Sequence, residues 1–417
     1  MSRLVFWLSL ATLGYTYLGF PFIVLARARL RPRPTAAAAI EPSVSIVMAA
    51  RNEAVVLPAR LDNLLALDYP ADRLETIVAS DGSDDATVTV AAGYADRGVR
   101  VLDLDRVGKA DALNAAVGAA RGEIVVFTDA NTMFEAGALR ALVAPFADRD
   151  VGGVAGDQRY LPAAGLADAT GERSYWDFDR RLKIAESAAG STVAATGAIY
   201  AIRRELFEPV RPGVTDDFIT STAVIARGRR LVFEPKARAW EPVAPSNRLE
   251  YGRKVRIMTR GLRGVALRRD LLDPRRTGFY AVQLASHKVL RRLMAFPLLA
   301  IAITAPLLWA DGLLYRLATL GGVAVAALGT VGLAAPATRI GRHRLASLPA
   351  FFVLVNVASL HAAWNLATGR RIDRWEPRRG SADVADEAVD ERAAGERRAI
   401  GGPARDPADE NVAAVGR

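Results

Sequence analysis

The stretch EIVVFTDANTMF (Glu123–Phe134) runs an apolar segment straight into Asp129, with Asn131 two residues further on. A short run rich in Val and Ile reads as a strand buried on both faces, so this one delivers a carboxylate to the end of a buried strand. An acid placed there either holds a divalent cation that bridges a diphosphate and offsets charge on a leaving group, or caps a helix starting near Glu135. ASDGSDDAT (Ala79–Thr87) repeats the pattern: Asp81 closes an apolar run, Gly82 permits a tight turn, and Ser83, Asp84 and Asp85 are suited to cap the next helix. In GKADALN (Gly108–Asn114), Lys109 opens a helix, where it either meets a diphosphate beside free N–H groups or stays a solvated surface cation. GVTDDF (Gly213–Phe218) sets Asp216 against Asp217. Adjacent carboxylates raise one another's proton affinity, which suits one of them to general-base work; the alternative is a plain acidic first turn of a helix. YGRKVRIMTRG (Tyr251–Gly261) adds Arg253, Lys254, Arg256 and Arg260, which clamp a diphosphate or touch anionic lipid.

The elements that must position these groups alternate strand with helix. VSIVMAA (Val44–Ala50), LETIVAS (Leu74–Ser80), VRVLDL and EIVVFT read as strands. EAVVLPARLDNLLAL, ATVTVAAGYADRG ending at Gly98, and KADALNAAVGAARG with its C-cap at Gly122 read as helices. Such alternation predicts an α/β fold with a mostly parallel, doubly covered sheet, whose ligands bind beyond the carboxyl ends of the strands. Asp81 and Asp129 both fall at that edge.

Composition narrows the chemistry. The 417-residue chain has no Cys and three His, which excludes disulfides and thiolate metal sites and argues against a His-based zinc site. A metal here would take oxygen ligands, which favours magnesium or manganese. The formal net charge is +10, but the Arg residues flank apolar runs, a sign of membrane topology rather than of a nucleic-acid partner.

Leu4 to Ala26 carry no charged side chain and are long enough for a hydrocarbon core of roughly 30 Å. Arg27, Arg29, Arg31 and Arg33 follow, which places the next segment in the cytoplasm; a cleaved signal peptide is the rival reading. The expected organisation is a transmembrane helix with a basic flank over 1–34, a cytosolic domain over 43–247, and basic amphipathic interface helices over 248–292, including FYAVQLASHKVLRRL. Three hydrophobic, transmembrane segments follow over 293–368 (about 293–313, 317–338 and 345–367), then a disordered tail over 380–417. If all three segments span, the basic stretches RIGRHR and GRRIDRWEPRR fall on opposite sides, so one segment is expected to be re-entrant or interfacial.

Taken in order, ARNE (Ala50–Glu53), SDGSDDAT, GKADALN, TDANT, TGAIYAIRREL (Thr196–Leu206), TDDF and SHKVLRRL resemble the membrane-bound family 2 glycosyltransferases. That group includes the cellulose, chitin, hyaluronan and poly-N-acetylglucosamine synthases and ceramide glucosyltransferase. The resemblance covers roughly residues 43 to 375. It implies a GT-A, Rossmann-like nucleotide-sugar domain and inverting transfer from a nucleotide sugar, usually a uridine diphosphate sugar, with a divalent cation. The resemblance also implies an acceptor that is a growing polysaccharide or a glycolipid, at the cytoplasmic face of the plasma membrane. Carried over, Asp81 contacts the nucleoside, Glu53 and Lys109 line its pocket, and Asp129 sits by the metal and diphosphate. Asp217 matches the family's base, Asp216 stands where the family has Glu, and Arg256 matches the Arg of QxxRW.

Two departures bear on this reading. Asn131 replaces the second acid of the family's DxD; its amide oxygen still ligates a hard cation but carries no charge. QxxRW reads RKVRI, with Arg253 for Gln and Ile257 for the Trp associated with gripping a growing chain. Polymerisation, which with four apolar segments calls for an oligomer or an export partner, therefore stands beside single addition to a lipid. A non-catalytic membrane-tethered scaffold on the same fold is the alternative from another class.

Overall fold

The computed structural model describes residues 1–160, 169–241, 247–336 and 338–372; the stretch 380–417, read above as a tail, lies outside them. Four strands, β1 (Val44–Ala50), β2 (Leu74–Asp81), β3 (Val99–Leu104) and β4 (Ile124–Phe127), lie parallel in the order β3-β2-β1-β4. The sheet continues through β7 (Tyr200–Arg203), β6 (Val151–Tyr160), β8 (Arg230–Glu241) and β5 (Met133–Phe134). Most of its pairings are parallel, β6 with β8 included, but the sheet is mixed: β7 runs against both β4 and β6, and β5 runs against β8. The reversal matters for the site, because pairing Phe127 with Tyr200 brings the start of β7 to the carboxyl end of β4, beside Asp129.

The helices that position the site are, in chain order, α1 (Ser2–Leu30), α2 (Leu57–Leu65), α3 (Lys109–Ala119), α4 (Ala138–Val143), α5 (Ala169–Ala189), α6 (Asp216–Ala226) and α7 (Asn247–Leu267). After them come α8 (Phe279–Leu293), α9 (Ala295–Leu307), α10 (Leu313–Ala334) and α11 (Arg344–Ala367). Side chains alternate across the strands, so each strand contributes to two cores. Ile46, Met48, Val78 and Val126 face Leu57, Leu61 and Leu64 of α2 and Leu139 and Leu142 of α4. Val47, Ile77, Val125 and Phe127 face Ala112, Leu113, Ala116 and Val117 of α3.

Gly122 does not cap α3. That helix ends at Ala119, followed by an extended Ala120, and the Gly122 amide donates to Ser45 Oγ at 2.7 Å. Glycine is required there for close approach: a Cβ would lie 2.4 Å from the Ser45 nitrogen.

Among the described residues, α1, α10 and α11 are long and apolar enough to cross a membrane, and a fourth crossing arises if α8 and α9, bent by 49°, form one span. Phe6 of α1 packs on Ala305, Leu308 and Tyr315, while Phe20 and Val24, near its other end, pack on Leu182 and Ala185 of α5. The last apolar helix, α11, leans on α7. Lys254 lies over the Phe351 ring, Tyr251 Oη meets His361 Nδ1 at 3.1 Å, and Arg260 Nε donates to the Ile372 carbonyl at 2.7 Å.

Gly122→Ala is expected to destabilise the protein by about 1–3 kcal/mol, since backbone rather than a flexible side chain must move. Thermal unfolding of the full chain in detergent measures this, and an unchanged midpoint would contradict the close approach at Ser45.

Candidate active site

The carboxyl edge of the parallel strands gathers groups that are far apart in sequence. Asp81 ends β2, and its Oδ1 accepts from the amides of Val107 and Gly108, both at 2.7 Å. The buried carboxylate thus shapes the turn that launches α3, with Gly82 at φ 59° passing so close to Arg106 that a Cβ would sit 2.8 Å from its nitrogen. Lys109 is the first residue of α3. Its Nζ lies 2.8 Å from Asp129 Oδ1, at the end of β4, and 3.5 Å from Asp216 Oδ2, in the first turn of α6. Burial alone would lower this ammonium's pKa, but Asp129 and Asp216 outweigh it and hold the pKa above the usual lysine value.

Asp217 adjoins this triad. Its Oδ1 accepts from the Phe218 amide at 2.8 Å. Burial, then the charge of Asp216, pushes the Asp217 carboxyl up to about 6, with Lys288 of α8 pulling the other way. Two neighbouring acids thereby sit in different electrostatic settings, since Lys109 bridges Asp216 to Asp129 while Asp217 lies in the less favourable surroundings. A carboxylate of raised pKa close to neutrality is suited to accept a proton.

Sequence reasoning missed the groups that hold these acids in place. Arg60 of α2 is fully buried beneath the Asp129 turn, donating from Nη2 to Thr128 Oγ1 at 2.8 Å and from Nη1 to Asn63 Oδ1 at 2.6 Å. Burial lowers its pKa to about 9 against the pull of Asp129 and Glu241, so it stays cationic at neutral pH. Thr128 Oγ1 passes the chain of hydrogen bonds on to the Ala198 carbonyl at 2.8 Å. Thr132 closes the other end of the turn, donating to Glu241 Oε1 at 2.8 Å. Tyr200 stacks on Phe127, with ring centroids 4.6 Å apart. Burial, and then the charges of Asp216 and Asp217, hold its phenol well above the usual range, hence neutral. Asn114 of α3 exchanges two hydrogen bonds with the backbone of Val210, tying the Lys109 helix to the loop that leads to Asp216. The sequence did carry a signal for Arg60: with Leu57, Leu61 and Leu64 it occupies one apolar helix face, where a charge has no business unless it is paired.

The remaining expected residues stand as follows. Glu53 lies on the loop after β1, its amide donating to Thr87 Oγ1 at 2.8 Å. Asn131 lies on the turn two residues beyond Asp129. Arg256 lies half-buried on α7. Among the described residues no group of three or more His, Cys, Asp or Glu side chains forms a metal cluster. The donor set of one carboxylate and one amide oxygen nonetheless fits a magnesium- or manganese-type ion, which commonly takes one or two protein oxygens and completes its shell with water and substrate phosphates.

The helix α8 packs on α5 and on the segment that begins at Ser191. His287 meets Glu186 Oε1 at 2.7 Å and Asp179 Oδ1 at 3.1 Å, both on α5. Tyr280 Oη donates to the Val193 carbonyl at 2.7 Å, and Gln283 Nε2 to the Ser191 carbonyl at 3.1 Å. The segment so held continues through Ala195, whose amide donates to Ser221 Oγ of α6 at 3.1 Å.

Comparison with known proteins adds to this geometry. Residues 42–273 match the model of the family described as glycosyltransferase like family 2. The chain is 26% identical over 204 residues to the poly-beta-1,6-N-acetyl-D-glucosamine synthase of Staphylococcus aureus (strain COL), covering 47% of this chain and 49% of that protein. It is 40% identical over 99 residues to the dolichyl-phosphate beta-glucosyltransferase of Drosophila melanogaster, covering 21% of this chain and 30% of that one. The chain thus spans about half the length, or less, of these curated relatives. A solved structure, the mannosyltransferase PcManGT from Pyrobaculum calidifontis in complex with GDP-Man and Mn2+, shares the fold. Its TM-score is 0.66 at 24% identity, over 88% of this chain and 100% of that one.

The raised Asp217 carboxyl gives a signed expectation. If this group must be ionised to act, kcat/KM rises with pH through an acid limb centred near 6. Asp216→Asn removes the neighbouring negative charge and moves that limb to lower pH. A pH–rate profile of donor turnover checks both, and a limb left in place by the substitution would count against the pairing.

Proposed function

This chain belongs to glycosyltransferase family 2, and we propose that it moves a sugar from a nucleotide sugar, a uridine diphosphate sugar by the family pattern, onto a polysaccharide or lipid-linked acceptor at the cytoplasmic face of the membrane. The observation that carries this reading is the convergence of Asp129, Lys109 and Asp216, with Asp217 adjoining, at the ligand edge of the sheet. Arg27, Arg29, Arg31 and Arg33, at the end of α1 nearer the α/β domain, favour the cytoplasmic placement.

In the proposed reaction, Asp217 accepts the proton of the acceptor hydroxyl as its oxygen attacks the anomeric carbon. The bond to the nucleoside diphosphate breaks in line on the opposite face, inverting the configuration. Lys109 lies where it offsets charge on the departing diphosphate, and Asp216 keeps that ammonium charged and aimed. Asp81 orders the turn before Lys109, and Oδ2, which those two amide bonds leave unused, is the atom offered to the nucleoside. Glu53 lines the same pocket, and Arg256 supplies a further cation from α7. Asp129 and Asn131 would hold a divalent cation that, when bound, supplies Lewis-acid neutralisation of the diphosphate. Single addition to a lipid is the second reading. It is favoured by Ile257, partly exposed on α7 where chain-gripping members carry Trp.

Asp217→Asn is expected to lower transfer about a hundredfold to ten-thousandfold while leaving nucleotide binding intact. Release of the nucleoside diphosphate at the wild-type rate by that variant would falsify the assignment of the base.

Divalent-metal dependence is a separate expectation. Excess chelator should abolish turnover and added magnesium or manganese should restore it, whereas full activity in chelator would remove Asp129 and Asn131 from the metal role.

A further inference from the structure

Of the ordered motifs, SHKVLRRL takes no part in the reaction above. It lies on α8, where charged side chains fall into pairs. His287 meets Glu186 and Asp179, while Arg291 Nη1 and Lys183 Nζ each lie 3.1 Å from an Asp179 oxygen. At the active edge, Lys109 serves both Asp129 and Asp216. Two groups are left over. Among the described residues, neither Asp217 nor Lys288 forms an ion pair.

Packing brings these two to one place. Phe218, which follows Asp217, and Leu284, one turn before Lys288, are buried in the same apolar cluster. Val289, which follows Lys288, and Ala110, which follows Lys109, pack against that cluster. Gly264 of α7 lies so close to the Phe218 ring that a Cβ would be 2.8 Å from a ring carbon. The first turn of α6 is thus held between α7 and α8, and Asp217 and Lys288 are both half-buried.

Unpaired opposite charges in such a place act on each other beyond salt-bridge range, because partial burial reduces screening by water. The other charged groups nearby are accounted for. Asp129 and Asp216 are balanced by Lys109, Asp179 by Lys183 and Arg291, and the Tyr200 phenol of β7 is neutral. Arg292 of α8 lies against Gly261 of α7, a helix that adds only cations near this point, Arg256, Arg260 and Arg263. The Lys288 charge opposes the combined push of burial and Asp216 on the Asp217 carboxyl. The separation has a use of its own. A carboxylate locked in a salt bridge has its oxygens occupied, whereas one steadied from a distance keeps them open to a proton.

We propose that Lys288 is a positioning residue for the reaction: its ammonium stands opposite Asp217 and keeps that carboxylate ionised and open to the acceptor hydroxyl. The pairing is a property of the folded chain, and its consequence for transfer rests on Asp217 being the base.

The test follows the Asp217 carboxyl directly, in the full chain in detergent and without donor. The infrared band of the protonated group, identified as the one that Asp217→Asn deletes, is titrated with pH. Its midpoint is expected near 6. Lys288→Met and Lys288→Gln should each raise that midpoint by about one unit, and Lys288→Arg should leave it in place. Thermal unfolding confirms that each variant folds, and either neutral variant serves if the other does not. A side chain needed only for packing would lower turnover at every pH without moving the band. A midpoint left in place by the neutral variants, or raised as far by Lys288→Arg, would overturn the pairing. The acid limb of donor turnover should move with the band. A band that moves while the limb stays would leave the pairing standing and remove Asp217 from the role of base.

Discussion

A single ammonium group makes the carboxylate cluster tenable. Asp129 and Asp216 lie 87 residues apart in the α/β domain's sequence, and two negative charges brought within reach of one cation repel each other unless that cation lies between them. Unit charges 4 Å apart interact by about 4 kcal/mol at an effective dielectric near 20, comparable to a large part of a domain's net stability. Lys109 answers this by bridging both. It does so from the first position of a helix whose launching turn is itself held by Asp81. The cluster is therefore one unit: the acid on β2 sets the turn, the turn aims the lysine, and the lysine pairs the acids on β4 and α6. Asp217, left with the less favourable surroundings, is the member whose proton affinity rises.

The same economy links the site to the apolar helices. The segment from Ser191 to Ala198 touches α8 through Gln283 and Tyr280, α6 through Ser221, and the Asp129 turn through Thr128. The buried pairing of His287 with Glu186 and Asp179 anchors α8 to α5 at that same place. A shift of α8 would thus reach both the proposed base and the proposed metal turn through hydrogen bonds rather than through loose contact. This connection fastens the sheet edge that carries Asp129 to the apolar helices through hydrogen bonds.

How much of this could be read in advance depended on range. The strands β1 and β3 were legible to the residue because Val, Ile and Leu runs bounded by turn residues have few other uses, and Asp81, Lys109, Asp129 and Asp217 stood out as polar groups at strand or helix ends. Gly122 misled because glycine serves two purposes, and the local pattern cannot distinguish a left-handed cap from a close backbone approach. The antiparallel insertion of β7 was invisible for a similar reason: four residues, YAIR, say nothing about which neighbour they will find.

The amino-acid sequence by itself determined the α/β class, the apolar helices, the candidate acids and the family, because each rests on local composition, periodicity or ordered motifs. Only the tertiary structure decided which charges meet. It paired Lys109 with Asp129 and Asp216, put Arg60 under the Asp129 turn, and laid the end of α11 along α7. Those outcomes depend on distances between residues tens to hundreds of positions apart, and electrostatic and hydrogen-bond energies are functions of such distances, which no spacing along the chain encodes.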